Sequence, residues 1–142
     1  MNCFCARTRL LARLLTRHYT EHLKLAGITP TQFELLGRLS ATETAGQSEI
    51  VKAMDLDQTT LSRNMKSMIE NGWVTRTAGR KDSRVALYSI TPAGKTKLKR
   101  AYPEWKRAQS AIERALGSEG QAVWGTFERL KGVVEAEESS GR

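Results

Sequence analysis

"DLDQTTLSRNMKSMIENGWVTRTAGRKDSRVALYSITPAG", residues 55–94, switches its hydrophobic period from helix to strand and back, and that switching decides the architecture. Asp57 is a good N-cap for a helix running to about Asn71, because Leu61, Met65, Met68 and Ile69 fall on one side at helical spacing and Gly72 stops it. By the 100° step, Thr59, Arg63 and Lys66 lie opposite, flanked by Thr60 and Ser62. The solvent face therefore combines hydroxyls with cations, and Glu70 is its one acid. "WVTRT" and "RVALYSIT" follow, rich in aromatic and β-branched residues. The Gly-containing turn "AGRKDSR" separates them, so they predict two strands of a hairpin. "TPAG" then announces another helix, with Thr91 as its cap and Pro92 in its first position.

Outward from this segment the chain reads as helices. Residues 5–26 carry Leu10, Leu11, Leu14, Leu15 and Leu23 near helical spacing and end at Gly27. A second helix starts after Thr29 with Pro30 in its first turn and buries Phe33, Leu35, Leu36 and Leu39; a short third, about 46–54, presents Ile50, Val51 and Met54. After "TPAG", Leu98, Ala101, Trp105, Ala108, Ile112 and Leu116 trace a long stripe, with a kink expected at Pro103 and a stop at Gly117. Ser118 with Gln121 reads as a capping box for a last helix, in which Val123, Phe127, Leu130 and Val134 recur at near-heptad intervals.

The chain has 142 residues, 39% hydrophobic and 27% charged, which fits one globular domain, 1–142, with no run apolar enough for a membrane span. Residues 58–100 hold ten Lys or Arg against two acids, so this third carries the whole net charge of +8. Such clustering predicts a polyanion-binding face, with nucleic acid as the leading partner. Cys3 and Cys5 are too close together for a useful loop-closing disulfide, and arginines interrupt every apolar stretch of the N-terminus, so a cytoplasmic location is expected. Residues 1–20, Arg-rich and free of acids, also read as an organellar transit peptide.

Two helices joined by a short turn, the second amphipathic with a hydroxyl and Arg face, followed by a basic hairpin, make a winged helix-turn-helix. The fold class expected is mainly α with a small β-hairpin wing (α+β), flanked by long N- and C-terminal dimerisation helices. A helix fits the DNA major groove, and a neighbouring hairpin can lay cations along the backbone or into the minor groove. Residues 55–94 resemble the MarR family of bacterial transcription regulators across recognition helix and wing, and "GITPTQFELLGRL" resembles its second helix. The most telling signature is Asp82-Ser83-Arg84, then Leu87, Thr91 and Gly94, as in the family's D-x-R…T-x-x-G pattern. The resemblance implies that Arg84 enters the minor groove with Asp82 steadying it. Arg80 and Lys81 would contact phosphates, and Thr59, Thr60, Ser62, Arg63 and Lys66 would face the major groove. It also implies a DNA-binding part at 30–92 and a homodimer built from helices in 1–29 and 93–138, on a palindromic double-stranded operator.

Other motifs point elsewhere. "HYTEH", residues 18–22, fits the H-x-x-E-H pattern of inverted zinc peptidases, but the chain offers no third His, so neither metal nor catalytic residues are expected. The organic-peroxide-sensing branch of the MarR family resembles this N-terminus in Cys5, Arg13, Thr16 and Tyr19, although Arg9 stands where that branch has a second Tyr. Cys3 would then serve as a resolving or cross-linking thiol. Most family members instead bind small aromatic or phenolic acids, which here implies a site near His18, Tyr19 and Phe33. These features predict a repressor, not an enzyme, that needs no cofactor and is released from its operator by a small-molecule effector. Two alternatives stand beside it: a peroxide-sensing repressor acting through Cys5, and a non-specific basic nucleic-acid-binding protein.

Overall fold

The computed structural model describes residues 2–79 and 84–141. They form two compact units, residues 1–107 and 108–142. In the first, α1 (Phe4–Leu23) runs through a 3-10 turn (Lys24–Ala26) into α2 (Pro30–Thr42), β1 (Thr44–Gly46), α3 (Gln47–Met54), α4 (Gln58–Glu70), β2 (Val74–Ala78) and β3 (Ala86–Ile90). Helix α5 (Pro92–Leu116) contributes residues to both units, and α6 (Gly120–Ser140) belongs to the second. The three strands pair antiparallel in the order β1-β3-β2, with Arg76 opposite Tyr88 and Gly46 opposite Leu87.

Local chemistry accounts for the central elements. Gln32 and Thr29 form a reciprocal capping box at α2, with Pro30 in its first turn. Helix α4 ends in a Schellman motif: Gly72 adopts φ 72° and its N–H donates to Ile69, while the Trp73 N–H donates to Met68. The core of the first unit gathers Leu35, Leu36 and Leu39 from α2, Ile50 from α3, Leu61, Met65 and Met68 from α4, and Val74 and Tyr88 from the sheet, all 4% exposed or less. Burying one such aliphatic side chain contributes roughly 1.5–3 kcal/mol.

The T-x-x-G segment has a packing reason. The Thr91 N–H donates to the Trp73 carbonyl at 3.0 Å, its hydroxyl donates to the Gly72 carbonyl at 2.6 Å, and the same hydroxyl accepts from the Gly94 N–H at 3.0 Å. Thr91 thus caps α5 and straps it to the base of the wing. A Cβ on Gly94 would sit 2.1 Å from the Trp73 carbonyl oxygen, so only glycine fits.

Three expectations need correction. A third strand, β1, precedes α3, made by pairing with β3 rather than by any alternation of its own three residues. The Ser118–Gln121 capping box does not form: Ser118 lies in a 3-10 turn (Gly117–Glu119), and Glu119 at the N-cap of α6 is helical, not extended, so no hydroxyl is aimed at the first amides. Ile69 lies at the edge of the buried face of α4, 37% exposed. Leu10, Leu11 and Leu14 in α1 and Phe127 and Val134 in α6 remain exposed within the chain, and α6 buries no residue fully. Pro103 sits inside α5.

Gly94→Ala is expected to destabilise the protein by about 3 kcal/mol, because the added methyl collides with backbone that cannot yield. A urea titration of both proteins measures this.

Candidate nucleic-acid interface

Helix α4 presents its polar face as the periodicity indicates. Gln58, Thr59, Ser62, Arg63 and Lys66 line one shallow surface depression of about 480 Å³. Gln58 was not singled out from the sequence; it stands one turn before Ser62, and that spacing is the signal for it. Thr59, Ser62, Arg63 and Lys66 are exposed, and Lys66 reaches Glu70 at 4.0 Å in a solvent-screened pair of little energetic weight.

Thr60 is committed differently from its neighbours. Its amide donates to Asp57 Oδ1 at 2.8 Å and its hydroxyl donates to Asp57 Oδ2 at 2.5 Å. With its one proton spent on the cap, this hydroxyl can meet a base only as an acceptor. Those two bonds, the hydroxyl's first, hold the Asp57 carboxyl below its ordinary value. An ionised carboxylate here also suits the positive end of the α4 dipole.

On the wing, Arg76 of β2 and Arg84 are exposed, and the Gly79 N–H donates to the Val85 carbonyl at 2.8 Å, closing the ladder beyond β2 and β3. Arg80, Lys81 and Asp82 lie outside the described residues. Four other cations of the basic segment, Lys95, Lys97, Lys99 and Arg100, stand in the first turns of α5, beside the base of the wing. Lys97 Nζ lies 4.6 Å from the centroid of the Trp73 ring, in a cleft of about 570 Å³ lined also by Leu25, Thr96, Arg100 and Glu104.

The residues expected to take an effector make aromatic contacts on α1 and between α2 and α5. His18 meets Tyr19 edge-on at 5.7 Å and His22 at 5.1 Å on α1. Phe33 of α2 stacks on Trp105 of α5 at 5.8 Å, with Tyr102 at 5.4 Å from the same indole. Cys3 is half-buried at the N-cap of α1, and Cys5 is exposed in its first turn. At 1.5 Å per residue, Cys5 lies about 20 Å along the helix from His18, too far for one metal ion to be shared within a chain. Among the described residues no three potential ligands come together, and no helix is long and apolar enough to cross a membrane.

Because the carboxyl of Asp57 is favoured as the anion in the fold, it contributes stability above its ordinary value of 3.8 that is lost as the pH falls through its lowered folded value. Asp57→Asn should retain the cap to the α4 amides but lose this part of the acid dependence. Thermal melts of both proteins between neutral and strongly acid pH check this.

A family model described as the MarR family matches residues 28–86. The transcriptional regulator MosR of M. tuberculosis, solved in complex with DNA, is 31% identical and superposes with a TM-score of 0.84 over 95% of this chain and 98% of that one. A mutant MarR from E. coli complexed with operator DNA shares the fold at 21% identity, with a TM-score of 0.78 over 90% of this chain and 91% of that one. The HTH-type transcriptional regulator YwoH of Bacillus subtilis is 31% identical over 61% of this chain, and that match spans 62% of its own length. For YdgJ of the same organism, 27% identical, the match covers 57% of this chain and 49% of that protein. With its winged helix-turn-helix, the family match over residues 28–86 and a 31% identical regulator superposing over nearly the whole chain, the chain belongs to the MarR family of DNA-binding transcription regulators.

Proposed function

We propose that this protein is a cytoplasmic repressor that binds a palindromic operator as a homodimer and leaves it when a small-molecule effector binds. Residues 30–92 form its DNA-reading part, and 1–29 and 93–138 supply the dimerising helices. The observation that carries the reading is the exposed row of Gln58, Thr59, Ser62, Arg63 and Lys66 on α4, next to a wing rich in cations. Leu10, Leu11 and Leu14 on α1, and Trp124, Phe127, Val133 and Val134 on α6, are 38–55% exposed, which supports a second copy as the cover for these faces. An effector site near His18, Tyr19 and Phe33 is part of the same proposal. No catalytic role is assigned to any residue.

Arg63→Ala should cost roughly 1–3 kcal/mol of operator affinity and relax base preference at one position of each half-site. Selection from a random-duplex library, run with both proteins, measures it. An unchanged preference contradicts a base contact, and binding that depends on salt but not on sequence makes the protein a general nucleic-acid binder instead.

A second reading rests on the exposure of Cys5 beside Cys3. A hydroperoxide would oxidise the Cys5 thiolate to a sulfenic acid, its O–O bond breaking and the alcohol or water leaving. Cys3, or a thiol of the second copy, would then condense with it to a disulfide and release water. DNA release by mild peroxide in wild type but not in Cys5→Ser is the expected result, and release that persists in Cys5→Ser removes the reading.

A further inference from the structure

Among the described residues, Gln32 is the one buried polar residue, 9% exposed. Its Oε1 accepts from the Thr29 N–H at 3.1 Å while its own N–H donates to Thr29 Oγ1 at 3.2 Å, which completes the α2 cap. Capping alone does not require burial: at α3 the Glu49 carboxylate accepts from the Gly46 N–H at 3.4 Å with Glu49 exposed. The difference lies in the other end of the Gln32 amide. Nε2 donates to Ser67 Oγ of α4 at 3.3 Å, across 35 residues of sequence.

We infer that Gln32 is a positioning residue for DNA binding, its side-chain amide setting the register of the recognition helix α4 against the α1–α2 turn. The inference rests on the reading of α4 as the helix that enters the major groove.

The rest of the α2–α4 contact explains why one hydrogen bond matters. Leu35, Leu36, Met65 and Met68 are apolar and fully buried, and apolar contacts are non-directional, so they resist separation of the helices more than sliding. Among the described residues, Gln32 to Ser67 is the one side-chain hydrogen bond joining α2 to α4. A buried amide donor left without an acceptor is costly, so settings of α4 that break this bond are penalised. The Ser67 carbonyl in turn accepts from the Asn71 backbone at 3.1 Å and from the Asn71 side chain at 2.8 Å, tying the contact to the end of α4. At the other end, Gln32 borders a recess of about 230 Å³ shared with Thr20 and Lys24 of the last turns of α1 and its exit, so the link begins where the proposed dimerising helix delivers the chain to α2.

The test uses Ser67→Ala, which deletes the acceptor, leaves the α2 cap whole and favours helix, so the fold is retained. Affinity is measured for an operator selected from a random-duplex library and for versions with one base pair added or removed between half-sites, alongside urea stability. Ser67→Ala should lose about tenfold in operator affinity and most of the spacing discrimination, with a fall in urea stability small enough to leave the protein folded in the binding assay. Ser67→Thr should restore both, and Gln32→Met added to Ser67→Ala should lower DNA affinity no further. Wild-type affinity and spacing preference in Ser67→Ala overturn the inference while leaving the DNA reading intact. A wild-type protein that selects no duplex overturns both.

Discussion

Backbone packs directly on backbone where the base of the wing meets the first turn of α5, and the relative placement of α4 and the wing depends on that contact. The Trp73 amide closes the end of α4, the Trp73 carbonyl accepts from Thr91 at the end of the wing, and Gly94 permits the helix to lie against the same carbonyl. Three elements therefore meet at one residue. A displacement of α5 toward Trp73 has no room at this backbone contact and presses on the residue that joins α4 to the wing.

Charge obeys the same geometry. All the excess positive charge lies in residues 58–100, but the fold divides it. Arg63 and Lys66 on α4 and Arg76 and Arg84 on the wing are exposed on the elements expected to meet DNA, whereas Lys95, Lys97, Lys99 and Arg100 belong to the start of α5. The five residues of β2 span about 17 Å from base to tip, so the α5 cations and the wing tip are distinct sources of field. At physiological salt, fields this far apart are largely screened from each other, and a single count of net charge overstates what any one groove would meet.

Much of the first unit could be read in advance because its boundaries are written in residues with one conformational use. Asp57 and Thr91 cap, Gly72 takes a left-handed turn, Pro92 begins a helix, and the structure has each in that role. The exposed face of α4 was legible by angular spacing alone. Strand β1 was not, since three residues without alternation become a strand only when β3 lies beside them. Ser118 misled because a cap needs an extended residue, and the chain around Glu119 stays helical. The link from Gln32 to Ser67 was invisible because a 35-residue separation carries no periodicity, and Arg80, Lys81 and Asp82 remain expectations outside the described residues.

Helix α4 and the wing are proposed to act as one rigid reader, with the helix in a major groove and the hairpin in the adjoining minor groove. Chemical footprinting of the bound operator, with dimethyl sulfate for guanine N7 and hydroxyl radicals for the backbone, tests it most directly. The expected result is two clusters of major-groove protection about one helical turn apart, each flanked by minor-groove protection at constant offset. A single cluster, or protection spread evenly along the duplex without regard to groove, contradicts it.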